Sequence, residues 1–120
     1  MVQKIVKTNP YMNELIVHLK KLSLEKKIPL WKAVARELEK SRRMRREVNL
    51  EKINRICRDN ETIIVPGKVL ALGELYKKVT VAAFSFSDSA YAKINEKGKA
   101  MSIQELLQEN PQGSGVRIIG

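Results

Sequence analysis

The sequence predicts an α/β fold, with a basic helical N-terminal half on an irregular layer of short strands and helices. Three observations carry this expectation. Apolar residues recur at helical spacing through the first third of the chain. β-branched runs then alternate with capped helical segments. The charge is also lopsided: residues 1–58 hold 16 Lys/Arg against 6 Asp/Glu, and residues 59–120 hold seven of each. At 120 residues the chain is expected to form one domain, 1–120, with a basic helical part at 1–58 and a neutral strand/helix part at 59–120.

The elements follow in order. Asn9 is a good N-cap and Pro10 is preset for the first helical position, so a helix is expected from Pro10 to about Lys26. Leu15, Ile16, Leu19 and Leu22 give it an apolar stripe. Lys20, Lys21, Lys26 and Lys27 gather where cations suit the helix dipole. A second helix, from Pro29 to about Glu39, buries Trp31, Val34, Ala35 and Leu38 and repeats cations at Lys32, Arg36 and Lys40. A short third helix starts with Asn49 as its N-cap and turns Leu50, Ile53 and Ile56/Cys57 inward. Lys52, Arg55 and Arg58 then share one of its sides.

Beyond Asn60 the pattern becomes β-branched. Residues 62–65 read as a buried strand, Pro66-Gly67 as a type II turn with Gly at positive φ, and residues 68–70 as a second short strand. The segment from Lys78 to Phe84 is the strongest strand. Ser87 caps a helix running to about Asn95, and residues 99–101 form a short strand. Ser102 and Glu105 spell a capping box before Leu106-Leu107. Residues 110–115 break that helix, and residues 116–119 are a last strand.

Composition excludes several functions. A single cysteine, Cys57, and a single histidine, His18, cannot build a Cys/His zinc site or an internal disulfide. One cysteine fits a reducing cytosol. No apolar run approaches the ~20 residues of a membrane span, and the N-terminus shows no signal-peptide pattern. His18 has no nucleophile motif beside it and reads as a semi-buried or packed helix residue. Gly113-Ser114-Gly115 lacks the nucleophile-elbow spacing, and no phosphate-binding glycine loop is present. Neither an enzyme, a cofactor, a resident metal nor a small-molecule substrate is expected.

The net charge of +10 and the pI of about 9.9 call for a polyanion. Lys40-Ser41-Arg42-Arg43-Met44-Arg45-Arg46 places five cations in seven residues, four of them arginines whose planar donors match phosphate oxygens. The patterns of the common single-strand modules are absent, and the sparse aromatics do not alternate with arginine. Structured RNA, read through phosphates and shape, fits this surface best. The candidate RNA-binding set is Lys4, Lys7, Asn9, Lys32, Arg36, Lys40, Arg42, Arg43, Arg45, Arg46, Asn49, Lys52, Asn54, Arg55, Arg58 and Lys68. Asn49 and Asn54 are double-edged, because an N-cap role already accounts for Asn49. Lys68 is open to a plain turn reading. The alternatives are a chromatin-type DNA binder, an interaction protein docking on an acidic partner, and an RNA-modifying enzyme that lacks the acid–base residues it would need.

Three runs carry a resemblance: residues 47–55 (EVNLEKINR), 64–70 (IVPGKVL) and 79–87 (VTVAAFSFS). With Thr8-Asn9-Pro10 and the ending Gly113–Gly120, they resemble the archaeal and eukaryotic large-subunit ribosomal protein family L eighteen e. The resemblance spans nearly the whole chain. It implies an α/β fold related to bacterial ribosomal protein L fifteen and a structural place in the cytoplasmic ribosome. Its partners would be large-subunit rRNA and neighbouring ribosomal proteins, with no catalytic residue and no cofactor.

Overall fold

A computed structural model describes residues 10–40 and 46–119. The chain divides into two compact units, Met1–Lys40 and Ser41–Gly120. The division by compactness therefore falls earlier than the charge boundary at residue 58.

The described part of the first unit is a helical hairpin. Helix α1 spans Pro10–Lys26 and α2 spans Pro29–Glu39. Lys27 ends α1 in the left-handed region, at φ 57°, and the Ile28 N–H reaches back to the Ser23 carbonyl at 3.2 Å. The buried Ser23 hydroxyl donates to the Ile28 carbonyl at 3.0 Å, so one serine holds both strands of the link. Ile28 is extended, as the residue before a proline must be, and Pro29 opens α2 without wasting a helical N–H. Met12, Leu15 and Leu19 of α1 and Trp31, Val34, Ala35 and Leu38 of α2 are buried. Both helices match the sequence expectation. His18, expected to be packed, is exposed: the inward stripe passes through Leu15 and Leu19, and His18 falls on the outer side.

The second unit contains a parallel sheet. Its elements are β1 (Arg46–Asn49), α3 (Leu50–Ile56), β2 (Thr62–Leu70), β3 (Thr80–Phe86), α4 (Asp88–Lys97), β4 (Lys99–Ser102), α5 (Ile103–Glu109) and β5 (Val116–Ile118). The order is β1-β2-β3-β4, and every described pair is parallel. β2 is the central strand. On one edge it meets β3; along the other it meets β5 through Thr62–Ile64 and then β1 through Gly67–Leu70. Burial on both faces explains its nearly unbroken apolar sequence.

Two expectations need correction here. Pro66-Gly67 does not turn the chain: both residues are buried inside β2, and Gly67 is not at positive φ. Proline cannot donate to the ladder, so the register with β3 slips between Val65 and Lys68 while the strand continues. The sequence dipeptide marks a bulge. Residues 46–49 also form an unforeseen strand. Its sequence, Arg-Glu-Val-Asn, holds one buried apolar residue, Val48, and pairing with β2 makes it a strand.

Pleating sends alternate residues to opposite faces. Ile63, Val65, Val69, Val81, Ala83 and Ala100 join Leu50, Ile53 and Cys57 near α3 and Ala90 and Ile94 of α4 in one core. On the other face α5 packs on β3 and β4, burying Ile103, Leu106 and Leu107. Ile56 is exposed rather than inward, and the neighbouring Cys57 takes the buried position. The two serine caps behave as read, whereas Asn49 takes the N-cap position without a side-chain cap bond. The Ser87 hydroxyl accepts the Ala90 N–H at 3.2 Å, and Ser102 and Glu105 form the reciprocal capping box. Gly98 sits where an added Cβ would lie 2.0 Å from the Val79 carbonyl oxygen, so only glycine allows α4 to pass into β4 there.

Candidate nucleic-acid interface

In the hairpin unit, the four-residue repeat of α2 keeps Lys32, Arg36 and Lys40 out of the core formed by Trp31, Val34, Ala35 and Leu38. All three are exposed. Lys32 and Arg36, with Lys20, Ser23, Leu24 and Glu39, line a cleft of about 360 Å³ between α1 and α2. Lys20 pairs with Glu39, and Lys40 with Glu37 at 3.2 Å. Lys32 and Arg36 make no side-chain hydrogen bond or ion pair among the described residues. Three cations thus meet one paired carboxylate, leaving the cleft net positive and suited to an anion. Lys20 was not in the candidate set, because its approach to α2 depends on how the hairpin closes.

In the sheet unit, Lys52, Arg55 and Arg58 lie on or just beyond α3, with Arg55 and Arg58 exposed and Lys52 half-buried. Their side chains have no hydrogen bond or ion pair among the described residues, and the same holds for the exposed Lys68 on β2. Arg46 is present as the first residue of β1, opposite Gly67. Lys4, Lys7, Asn9, Arg42, Arg43 and Arg45 lie outside the described residues.

The two asparagines have a structural use. Asn49 occupies the N-cap position of α3 but makes no side-chain cap bond; its Oδ1 accepts the Leu72 N–H at 3.3 Å. Asn54 Oδ1 accepts the Tyr76 N–H at 2.8 Å. Asp59 continues the series, its Oδ1 accepting the Lys78 N–H at 2.9 Å. Three short polar side chains, five residues apart in sequence, thus pin the segment between β2 and β3. The Glu51 N–H adds a bond to the Leu72 carbonyl at 3.1 Å, which brings the backbones close. Gly73 meets that approach: its φ is +92°, and a Cβ there would lie 2.5 Å from Glu51 Cβ.

Four of the seven cations after residue 58 are engaged internally. Arg117 donates from Nε and Nη2 to the two Glu61 carboxylate oxygens at 2.8 and 3.0 Å, and from Nη2 to the Ile56 carbonyl at 3.0 Å. These bonds, with the Arg58 N–H, hold the Glu61 carboxyl below the usual range. Lys77 Nζ donates to the Cys57 carbonyl at 2.6 Å. Lys93 reaches the Ala71 and Gly73 carbonyls at 3.4 Å, and Lys99 pairs with Glu109 at 3.0 Å. Burial, and then the Glu61 charge, push the Cys57 thiol up, as befits a packing residue rather than a nucleophile.

The described residues contain no cluster of three or more His, Cys, Asp or Glu able to hold a metal. No described helix is long and apolar enough to cross a membrane. Each unit, taken by itself, thus carries exposed cations on or beside its ordered elements.

A model of the family described as "Ribosomal protein 60S L18 and 50S L18e" matches residues 2–120. The chain belongs to this family. A relative from Methanospirillum hungatei, named large ribosomal subunit protein eL18, is 52% identical over 114 residues, covering 94% of each chain. The eL18 of Methanoregula boonei is 49% identical over 120 residues, covering 99% of each. That of Archaeoglobus fulgidus is 49% identical over 114 residues, covering 94% of this chain and 97% of its own. This is a family of ribosomal structural components rather than enzymes, and its members work in the cytoplasmic ribosome.

Proposed function

We propose that this constituent of the large ribosomal subunit binds and stabilises folded large-subunit rRNA by neutralising phosphates where RNA segments approach each other. The observation that carries the reading is the state of its cations. Lys32, Arg36, Lys52, Arg55 and Lys68 have no internal acid or carbonyl partner among the described residues, and the Arg58 side chain makes no hydrogen bond or close ion pair, feeling only the charge of Glu61. An unpaired surface cation contributes nothing to folding, whereas it strengthens contact with a phosphate backbone by releasing condensed counterions. Arg42, Arg43 and Arg45, with Lys4, Lys7 and Asn9, belong to the same proposed RNA-binding set. Neighbouring ribosomal proteins take the remaining, neutral surfaces.

The test is affinity for structured large-subunit RNA over a salt series. Each phosphate contact contributes a log–log slope of roughly −0.7 to −0.9. Six engaged cations therefore give a slope of about −4 to −5. A slope near zero refutes phosphate neutralisation. Preference for duplex DNA in direct competition would favour a chromatin-type reading instead.

A further inference from the structure

Tyr76 differs from the other aromatic residues. Trp31 is fully buried, and Tyr91 lies edge-on against Phe86, with ring centroids 5.7 Å apart and planes at 72°. Tyr76 keeps 72% of its surface open, on a segment where Leu72 is 65% open. Yet its backbone is held firmly. The Tyr76 N–H bonds to Asn54, and Leu72 and Lys78 are tied to Asn49 and Asp59. Lys77 is anchored to the Cys57 carbonyl. None of these bonds uses the Tyr76 ring.

We propose that Tyr76 is a stacking site for an unpaired nucleobase of the bound RNA, with the free cations of α3 taking adjoining phosphates. The proposal deepens the RNA-binding reading above and rests on it. Four physical points support it. A pinned backbone has already lost its freedom, so a ligand meeting the ring orders only two side-chain torsions. Every base offers a π-face, so an isolated exposed ring suffices without a sequence-specific pocket. The charge favours a nucleotide over an acidic or apolar protein surface as well. Asn54 and Asp59, which hold this segment, stand beside Arg55 and Arg58, whose side chains make no hydrogen bond or close ion pair among the described residues. Of the nearby acids, Glu74 faces Lys93 at 3.7 Å and Glu61 is held by Arg117, which leaves Glu51 and Asp59 against the four positive charges of Lys52, Arg55, Arg58 and Lys77. Finally, the Asn54 amide nitrogen remains available to donate while its oxygen holds Tyr76.

The experiment uses the full chain, with Tyr76→Ala and Tyr76→Phe variants and two probes. One probe is a ten-nucleotide oligoadenylate; the other is an abasic ribose-phosphate oligomer of equal length. The wild type should bind the base-bearing probe more tightly. Tyr76→Ala should weaken that binding by roughly five- to a hundredfold and leave the abasic probe unchanged, while Tyr76→Phe stays within about threefold of wild type. Equal wild-type binding of both probes, or equal loss on both in Tyr76→Ala, overturns the stacking role. Retained salt dependence on the abasic probe would then leave phosphate neutralisation standing; its loss would refute both. Unchanged binding of both probes by Tyr76→Ala overturns stacking in favour of a protein partner for this surface. Unfolding curves of the variants confirm that a lost ring, and not a lost fold, is being read.

Discussion

The described residues up to Arg58 and those from Asp59 onward both carry cations, but the later ones are engaged internally in greater proportion, four of seven. In the later region Lys77, Lys93, Lys99 and Arg117 each reach a carbonyl or carboxylate of the same unit. In the earlier one Lys20 and Lys40 have acidic partners and Arg58 feels the charge of Glu61, while Lys32, Arg36, Lys52 and Arg55 have none among the described residues. Net charge alone would not show this. It shows only that the earlier region has an excess; the geometry shows which side chains compose the excess. Cations that fold the protein and cations that await a polyanion are therefore different residues.

The largest effect that would test the contrast is on RNA affinity. Replacing Lys52, Arg55 and Arg58 together by glutamine should weaken RNA binding roughly a hundredfold near 0.1 M salt and flatten the salt slope by about 2 to 3. Thermal unfolding should barely move, because exposed unpaired charges contribute within about 0.5 kcal/mol. A large loss of stability in this variant would erase the distinction between the regions.

Next in size is the close approach that holds the pinned segment. Gly73→Ala should destabilise by about 1–3 kcal/mol, since both its φ and its contact with Glu51 exclude a Cβ. Denaturant midpoints measure this. An unchanged midpoint would mean that the segment is held some other way. Asn54→Ala should cost about 1 kcal/mol by orphaning the Tyr76 N–H, and Asn54→Asp, which keeps the acceptor, should recover part of it.

The smallest effect concerns pH. The Glu61 carboxyl is held below its ordinary value by Arg117, so its contribution to stability is present above the usual carboxylate range. That contribution fades as pH falls through the lowered folded-state value and Glu61 becomes protonated. The stability gap between wild type and Glu61→Gln should therefore be greatest near neutrality and shrink in acid, as followed by urea unfolding at several pH values. A gap that widens in acid would contradict the sign. RNA affinity should not fall in Glu61→Gln, because the substitution removes no cation and releases Arg117 from its acid.

Much of the fold was legible in residue order. The two N-terminal helices, the Ser87 cap and the Ser102–Glu105 box are local devices, written within four residues of where they act. Pro66-Gly67 misled because the same dipeptide serves a turn or a bulge, and a strand pairing on both edges decided between them. β1 was illegible for a related reason: a polar four-residue edge becomes a strand only when β2 offers it hydrogen bonds. The candidate cations on α2 and α3 could be named from periodicity alone, since a helix separates its apolar stripe from its charged sides wherever it packs.

Sequence alone therefore established the helices, the Ser87 and Ser102 caps and the polarity of charge, because each depends on neighbours a few bonds or one helical turn away. Pairing across distance determined the rest. It sets which lysines are engaged by an internal acceptor, how Asn49, Asn54 and Asp59 fasten a remote segment, and why Tyr76 stands open. Hydrogen bonds between residues about twenty positions apart form only after the chain has folded back, and no local pattern encodes their partners.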